Sequence, residues 1–212
     1  MIHKLLPFVF LGMGIFLLVQ VAMPVLAFKY WEFTSYNQNR TLLSPDPNAQ
    51  VLGVSVKNVS NFPAIYSENR RVGEAPYKEF LVSIPSIKVE KARAVVDSNN
   101  FNENLGHLPG SPLPGEKGNV FITGHSSFPQ FFRPDNYKAI FAHLPEIKRN
   151  DEITIEAGGQ VFKYEVIGLR IVDPKDISVT APPEQNGRYL TLMTCVPPGF
   201  TLKRLVVLAK LI

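Results

Sequence analysis

Arg188–Ile212 reads RYLTLMTCVPPGFTLKRLVVLAKLI, two apolar runs of strand length on either side of Pro-Pro-Gly-Phe. Such a pattern predicts a strand, a tight turn and a returning strand. Centring the turn on Gly199 and Phe200 sets Cys195 opposite Arg204. Directly opposed residues of antiparallel strands share a face, with Cβ atoms about 4.5 to 5.5 Å apart. The stretch therefore predicts a thiol facing a guanidinium. That pairing suits acyl transfer, because a permanently charged five-donor group stabilises a thiolate or an oxyanion without giving up a proton. Each residue also has an ordinary reading: most lone cysteines are small core residues, and an arginine at a strand start often reaches water at the sheet's mouth.

Outward from this hairpin, residues beyond Tyr77 show the same texture of short β-type runs cut by turns. The runs are Phe80–Ile84, Ala92–Val96, Asn119–Thr123, Glu152–Glu156, Val161–Leu169, Tyr189–Thr194 and Leu205–Ile212. Eighteen prolines and fourteen glycines in 212 residues argue against a helical bundle. A mainly β, closed or nearly closed barrel is expected. Only Tyr137–Leu144 has helical spacing, so short helices are expected as decoration. One cysteine excludes an intramolecular disulfide and any cysteine-based zinc or iron–sulfur site. A net charge of +4, scattered along the chain, gives no argument for nucleic acid.

Leu5–Phe28 carries no charge over 24 residues and a single amide, Gln20. At 1.5 Å per residue it is long enough to cross a hydrocarbon core of about 30 Å. It exceeds the usual apolar region of a cleaved signal peptide, about 7 to 15 residues, so an uncleaved anchor is expected, although Val25 and Ala27 offer a cleavage site. The expected organisation is a tail at 1–4, a transmembrane helix at 5–28, a tether at 29–78 and a catalytic domain at 79–212. The tether is rich in Asn, Ser and Pro, with one alternating stretch, Val51–Val56, of strand character and Asn-X-Ser/Thr triplets at Asn39 and Asn58.

A nucleophilic thiol needs an acid–base partner, and histidine is the usual one. His3 precedes the apolar run and His143 lies in the helix-like window. His107 sits in the proline-rich loop LGHLPGSPLPG, and loops are where substrate-binding groups concentrate. His125 ends the strand GNVFITGH, followed by Ser126-Ser127, a place where a scaffold presents a reactive side chain.

Together these residues resemble the sortases, membrane-anchored cysteine transpeptidases of bacterial surfaces. Thr194-Cys195 within LTLMTC, then Pro197, Gly199 and Arg204, is similar to that family's cysteine strand and arginine. Leu105–His125 is similar to its histidine region, and Ile84-Pro85-Ser86-Ile87 to its opening strand. Phe141–Leu144, Arg149-Asn150-Asp151 and Val172-Asp173-Pro174-Lys175-Asp176 extend the likeness, which covers about 79–212.

The resemblance implies a sortase-type closed barrel of about eight strands and a Cys195, His125, Arg204 site. It implies Cys195 as the nucleophile that forms a thioacyl enzyme, His125 as general acid and then base, and Arg204 as stabiliser of substrate and oxyanion, with Thr194 as a substrate-binding residue; His107 is a substrate-binding candidate from its loop position. The implied partners are exported proteins bearing a C-terminal sorting signal of Leu-Pro-X-Thr-Gly type, and an amine acceptor from the cell-wall precursor or a pilin lysine. The implied location is the cell membrane, single-pass, with the catalytic domain extracytoplasmic. No cofactor or metal is expected, since no carboxylate cluster suits calcium. The chain departs from the family at Ser126-Ser127, where many relatives carry an arginine, and its tether lacks the Asp-Pro-aromatic lid of pilus-building members. Two other readings stay open: a different cell-wall thiol peptidase, and a membrane-tethered β-barrel binding module with a degenerate site.

Overall fold

The computed structural model describes residues 2–31, 33, 53–59, 62–71, 73–184 and 186–212. It divides into two compact units, 1–38 and 39–212. The first holds one helix, α1 (Ile2–Trp31). Its 21-residue segment Pro7–Ala27 is long and apolar enough to cross a membrane, and large apolar side chains such as Phe8, Leu18 and Leu26 lie exposed along it.

The second unit contains ten strands: β1 (Val54–Val59), β2 (Phe62–Ser67), β3 (Glu79–Ile84), β4 (Val89–Val95), β5 (Leu105–His107), β6 (Gly118–Thr123), β7 (Glu152–Ala157), β8 (Gln160–Val172), β9 (Arg188–Val196) and β10 (Lys203–Leu211). β1 and β2 form a sheet of their own, while the other eight close a barrel in the order β10-β8-β7-β3-β4-β5-β6-β9. The expected eight-stranded closed barrel is what the chain forms. Two of its pairings, β4–β5 and β6–β9, are parallel and the rest antiparallel.

Local chemistry accounts for the elements. β3 and β7 alternate buried with more exposed residues, the mark of a wall with one face to the core and one to water. β7 and β8 are joined through Gly158-Gly159, both at positive φ, with Ala157 paired to Gln160. That is the two-residue hairpin turn whose twist suits adjacent strands and whose backbone favours glycine. β9 departs from alternation: every residue after Arg188 is buried. Its outer face is therefore covered as well as its inner one.

Each of the seven expected strand runs overlaps an observed strand. Tyr137–Leu144, expected as a helix, is a series of turns leading into a 3-10 helix at Leu144–Glu146. Ala139 N–H donates to Asn136 O, Ala142 to Ala139 and Leu144 to Phe141, all three-residue steps. Pro145 disfavours an α conformation at the residue before it, and the tighter turns still bury Ile140, Phe141 and Leu144. The stretch expected as tether contains the β1–β2 hairpin, whose Ala64, Ile65 and Ser67 are buried. β1 begins at Val54, and residues 51 and 52, Asn39 and the run 44–48 lie outside the described residues.

Candidate active site

β9 and β10 pair in the register the sequence predicts, with Cys195 opposite Arg204. Parity along β9 sorts its side chains. Met193 and Cys195 share one face of the strand, and Leu192 and Thr194 the other. β6 runs parallel to β9 with Thr123 beside Met193, and Gly124 N–H continues the ladder by donating to Met193 O at 3.2 Å. Two residues past these partners come His125 and Cys195. Two adjacent parallel strands thus lead to the histidine and the cysteine, 70 positions apart in the chain.

His125 is fixed from several directions. Its carbonyl accepts from Phe141 N–H at 3.0 Å. Its ring packs on Phe101, centroids 4.6 Å apart. Nε2 lies 3.1 Å from Asn102 Oδ1, an acceptor, so the hydrogen sits on Nε2. Gly124, just before it, approaches its neighbours closely: a Cβ there would lie 2.7 Å from Leu105 Cδ2 and from Phe141 Cδ2.

Arg204 is 2% exposed and donates from Nη1 to Thr201 O (3.2 Å) and Lys203 O (3.0 Å). Those carbonyls turn the guanidinium back toward the β9–β10 connection. Burial pulls the Arg204 pKa down, against the opposing influence of Cys195 and Asp173. Cys195 is 4% exposed. Burial pushes its thiol up to about 11, with the Arg204 charge pulling the other way. Burial, and secondarily the Lys138 charge, lowers the His125 pKa from its ordinary value.

Thr194 and His107 take other places. Thr194 Oγ1 donates to Gly124 O at 2.8 Å, so this buried hydroxyl ties β9 to the segment carrying His125. His107 pairs with Ile122, which pairs with Leu192, on the face of the wall opposite Cys195. It is fully buried against Phe80. Nε2 is 2.9 Å from Pro112 O and 3.0 Å from Ser111 Oγ, while Nδ1 accepts from Asp97 N–H at 3.2 Å. Since a carbonyl only accepts, the hydrogen is on Nε2 and the ring is a strut between β5 and the proline-rich loop. Although Ser111, His107 and Asp97 line up in the order of a hydrolase triad, Ser111 Oγ donates to Leu108 O and is not activated.

Phe101 and Asn102 were not legible in the sequence as site residues, and neither were Ala64 and Ile65. The small cavity at the thiol is lined by Ala64, Ile65, Phe101, Met193, Cys195 and Arg204, among others, and holds about 10 Å³. A larger open depression of about 660 Å³ lies along Tyr66–Arg71 and Asp97 and is lined by none of the candidate catalytic side chains. Among the described residues no group of three or more His, Cys, Asp or Glu is arranged to hold a metal ion.

The family model for the sortase domain matches residues 82–212. Sortase D of Bacillus subtilis is 25% identical over 134 residues, 61% of this chain and 62% of that protein, so the match spans under two thirds of the relative. Among solved structures, a Clostridium perfringens sortase D5 transpeptidase is 28% identical with a TM-score of 0.54, covering 64% of this chain and 79% of that one. Sortase C of Streptococcus pneumoniae, described in terms of catalysis and pilin substrate specificity, is 26% identical with a TM-score of 0.55 and coverages of 68% and 76%.

Proposed function

This chain belongs to the sortase family, and on that premise we propose that it is a membrane-anchored cysteine transpeptidase acting on exported proteins with a C-terminal sorting signal. The observation that carries the proposal is the pairing of Cys195 with Arg204 at the end of β9, beside the end of the parallel strand that leads to His125.

In the proposed cycle the Cys195 thiolate attacks a carbonyl carbon of the signal, of Leu-Pro-X-Thr-Gly type. The new S–C bond forms, the oxyanion develops against Arg204, and the C–N bond breaks as His125 gives its proton to the leaving amine. An amine of the cell-wall precursor or a pilin lysine then attacks the thioester. His125 takes its proton, and the thiolate leaves restored. Water in place of the amine gives hydrolysis. Thr194 acts here as a positioning residue, holding the Gly124 carbonyl next to His125. α1 serves as a single-pass anchor with the barrel on the extracytoplasmic side, and residues between them form the tether.

One observation favours a second reading, a barrel binding module with an idle thiol: Cys195 is 4% exposed and its thiol is pushed up to about 11. Incubating the full chain in detergent with quenched sorting-signal peptides and an amine acceptor separates the two. The transpeptidase yields amine-linked product that disappears in Cys195→Ala. The binding module yields none with any peptide.

A further inference from the structure

The loop that follows His125 leaves that residue and returns to it. It runs over 126–140, and just past its end Phe141 N–H donates to the His125 carbonyl at 3.0 Å. Inside it the chain is tied at short range. Phe131 N–H donates to Phe128 O at 2.9 Å, Asn136 N–H to Arg133 O at 3.0 Å, and the Asn136 amide reaches from Nδ2 to Phe131 O at 2.9 Å. Outside, Phe128 packs edge-on against Phe200 with centroids 5.9 Å apart, and a Cβ at Gly199 would lie 2.9 Å from Phe128 Cε1. The loop is therefore docked on the turn that joins the Cys195 strand to the Arg204 strand.

A cleft of about 530 Å³ opens along this loop, lined by Ser127, Phe131, Arg133, Asp135, Asn136 and Lys138, among others. Arg133, Asp135 and Lys138 are exposed, and among the described residues none of the three forms an ion pair, although they share one cleft. Two cations and one carboxylate that do not meet leave a net positive concavity, which attracts an anion from outside. The cleft shares no lining residue with the cavity at the thiol. Its side is that of the histidine: Ser127 lies two residues past His125, and the Lys138 charge is, after burial, the second cause that lowers the His125 pKa. In the proposed cycle His125 takes the proton of the entering amine, so the molecule carrying that amine needs room on this side.

We propose that this cleft is the subsite of the amine acceptor and that it selects amines bearing a carboxylate: Arg133 and Lys138 hold the carboxylate while the amine, a short chain away, reaches the thioester beside His125. Arg133 offers a planar fork that can meet a carboxylate with two parallel bonds, and Lys138 adds a point charge. An amino acid or a short peptide with a free C-terminus engages both cations, whereas an alkylamine or a peptide amide engages neither. Asp135 opposes the anion and holds the selectivity down. The inference deepens the transpeptidase reading and rests on it for the acceptor's role, while the anion site itself stands on the cleft alone.

Triglycine and triglycinamide are the probes, since they share an amine and differ in the carboxylate. With the full chain in detergent at low salt and a quenched sorting-signal peptide as donor, KM for triglycine is expected to be about ten-fold below that for triglycinamide, equal to about 1.4 kcal/mol. Replacing both cations, Arg133→Gln with Lys138→Gln, is expected to bring the ratio to about one, and Asp135→Asn to widen it. Each ratio is taken within one variant, so a general loss of activity does not mimic the result. Equal KM values in the parent, or a ratio that survives loss of both cations, overturns the proposal and leaves the transpeptidase standing. Broadening of the probes' NMR lines reads binding without turnover. Triglycine broadened by the parent and not by the double variant, with no peptide cleaved by either, keeps the anion cleft and defeats the transpeptidase reading. No broadening and no cleavage overturns both.

Discussion

Cys195 and His125 are shifted in opposite directions by the same cause. Burial disfavours charge on both, so the thiol goes up to about 11 and the imidazole goes below its ordinary 6.5. Between these limits the pair carries one proton, chiefly as thiol and neutral imidazole, with thiolate and imidazolium as the minor form of the same proton count. The kcat/KM profile against pH is therefore expected to be a broad bell, its acid limb below 6.5 and its alkaline limb above the ordinary thiol value of 9.0. An acid limb at or above 6.5 would contradict this. The sign for stability follows: a histidine lowered in the folded state costs nothing above 6.5, and its penalty grows as pH falls below that value. Arg204→Lys keeps the charge but loses the planar guanidinium, whose Nη1 donates to Thr201 O and Lys203 O while its other nitrogens keep further donors. We expect kcat to fall about 100-fold, measured by steady-state cleavage. Asn102→Ala frees the His125 ring, and activity is expected to drop and be partly restored by Asn102→Gln. The pairing of Cys195 with Arg204 was readable in advance because a short turn fixes register. Asn102 was not, because a polar loop residue has no pattern that reports which side chain it meets.

At the scale of elements, the site depends on how β6 and β9 come together. Gly124 lies where a Cβ would strike Leu105 and Phe141. Gly124→Ala should cost about 1 to 3 kcal/mol by overpacking, visible as a lower melting temperature, with a larger proportional loss of activity because His125 follows directly. The Arg71–Asp97 pair is robust to acid. Burial raises the Asp97 carboxyl pKa, but the Gly110 N–H and the Arg71 guanidinium are among the groups that outweigh it and hold it below the usual carboxylate range. A depressed carboxylate contributes fully above its unfolded value, 3.8, and the contribution is lost only as pH falls below it. The melting temperature should therefore show no step from this pair between pH 5 and 8, and Asp97→Asn should lower it. The strand character read at Val51–Val56 overlaps β1 at Val54–Val56, whereas β2 escaped the sequence for a physical reason. Pro63 within FPAIYS demotes that run as a strand, yet it pairs with Asn58 in a two-stranded sheet that has free edges. His107 misled for the converse reason: a histidine among prolines and glycines looks exposed, but the loop folds inward and uses it as a strut.

For the molecule as a whole, the closed barrel was legible and the particular pairing of β6 with β9 was not. Alternation in β3, β7 and β8 reports an inner and an outer face, whereas the parallel β6–β9 contact joins segments about 70 residues apart, and no local pattern encodes it. The unbroken burial of β9 shows where the outer face stops facing water, and that is also where the thiol lies. α1 is apolar over 21 residues, and as an anchor it should keep the chain in the membrane fraction through carbonate washing, with the barrel digested by protease added outside intact cells. Release by carbonate would contradict the anchor. The most direct test of the central claim is the intact mass of the full chain after reaction with a sorting-signal peptide, with the acceptor amine withheld. The account predicts a peptide-sized acyl adduct on Cys195 that hydroxylamine removes and that Cys195→Ala never forms. Peptide cleavage without any such adduct, or cleavage that survives Cys195→Ala, would contradict it.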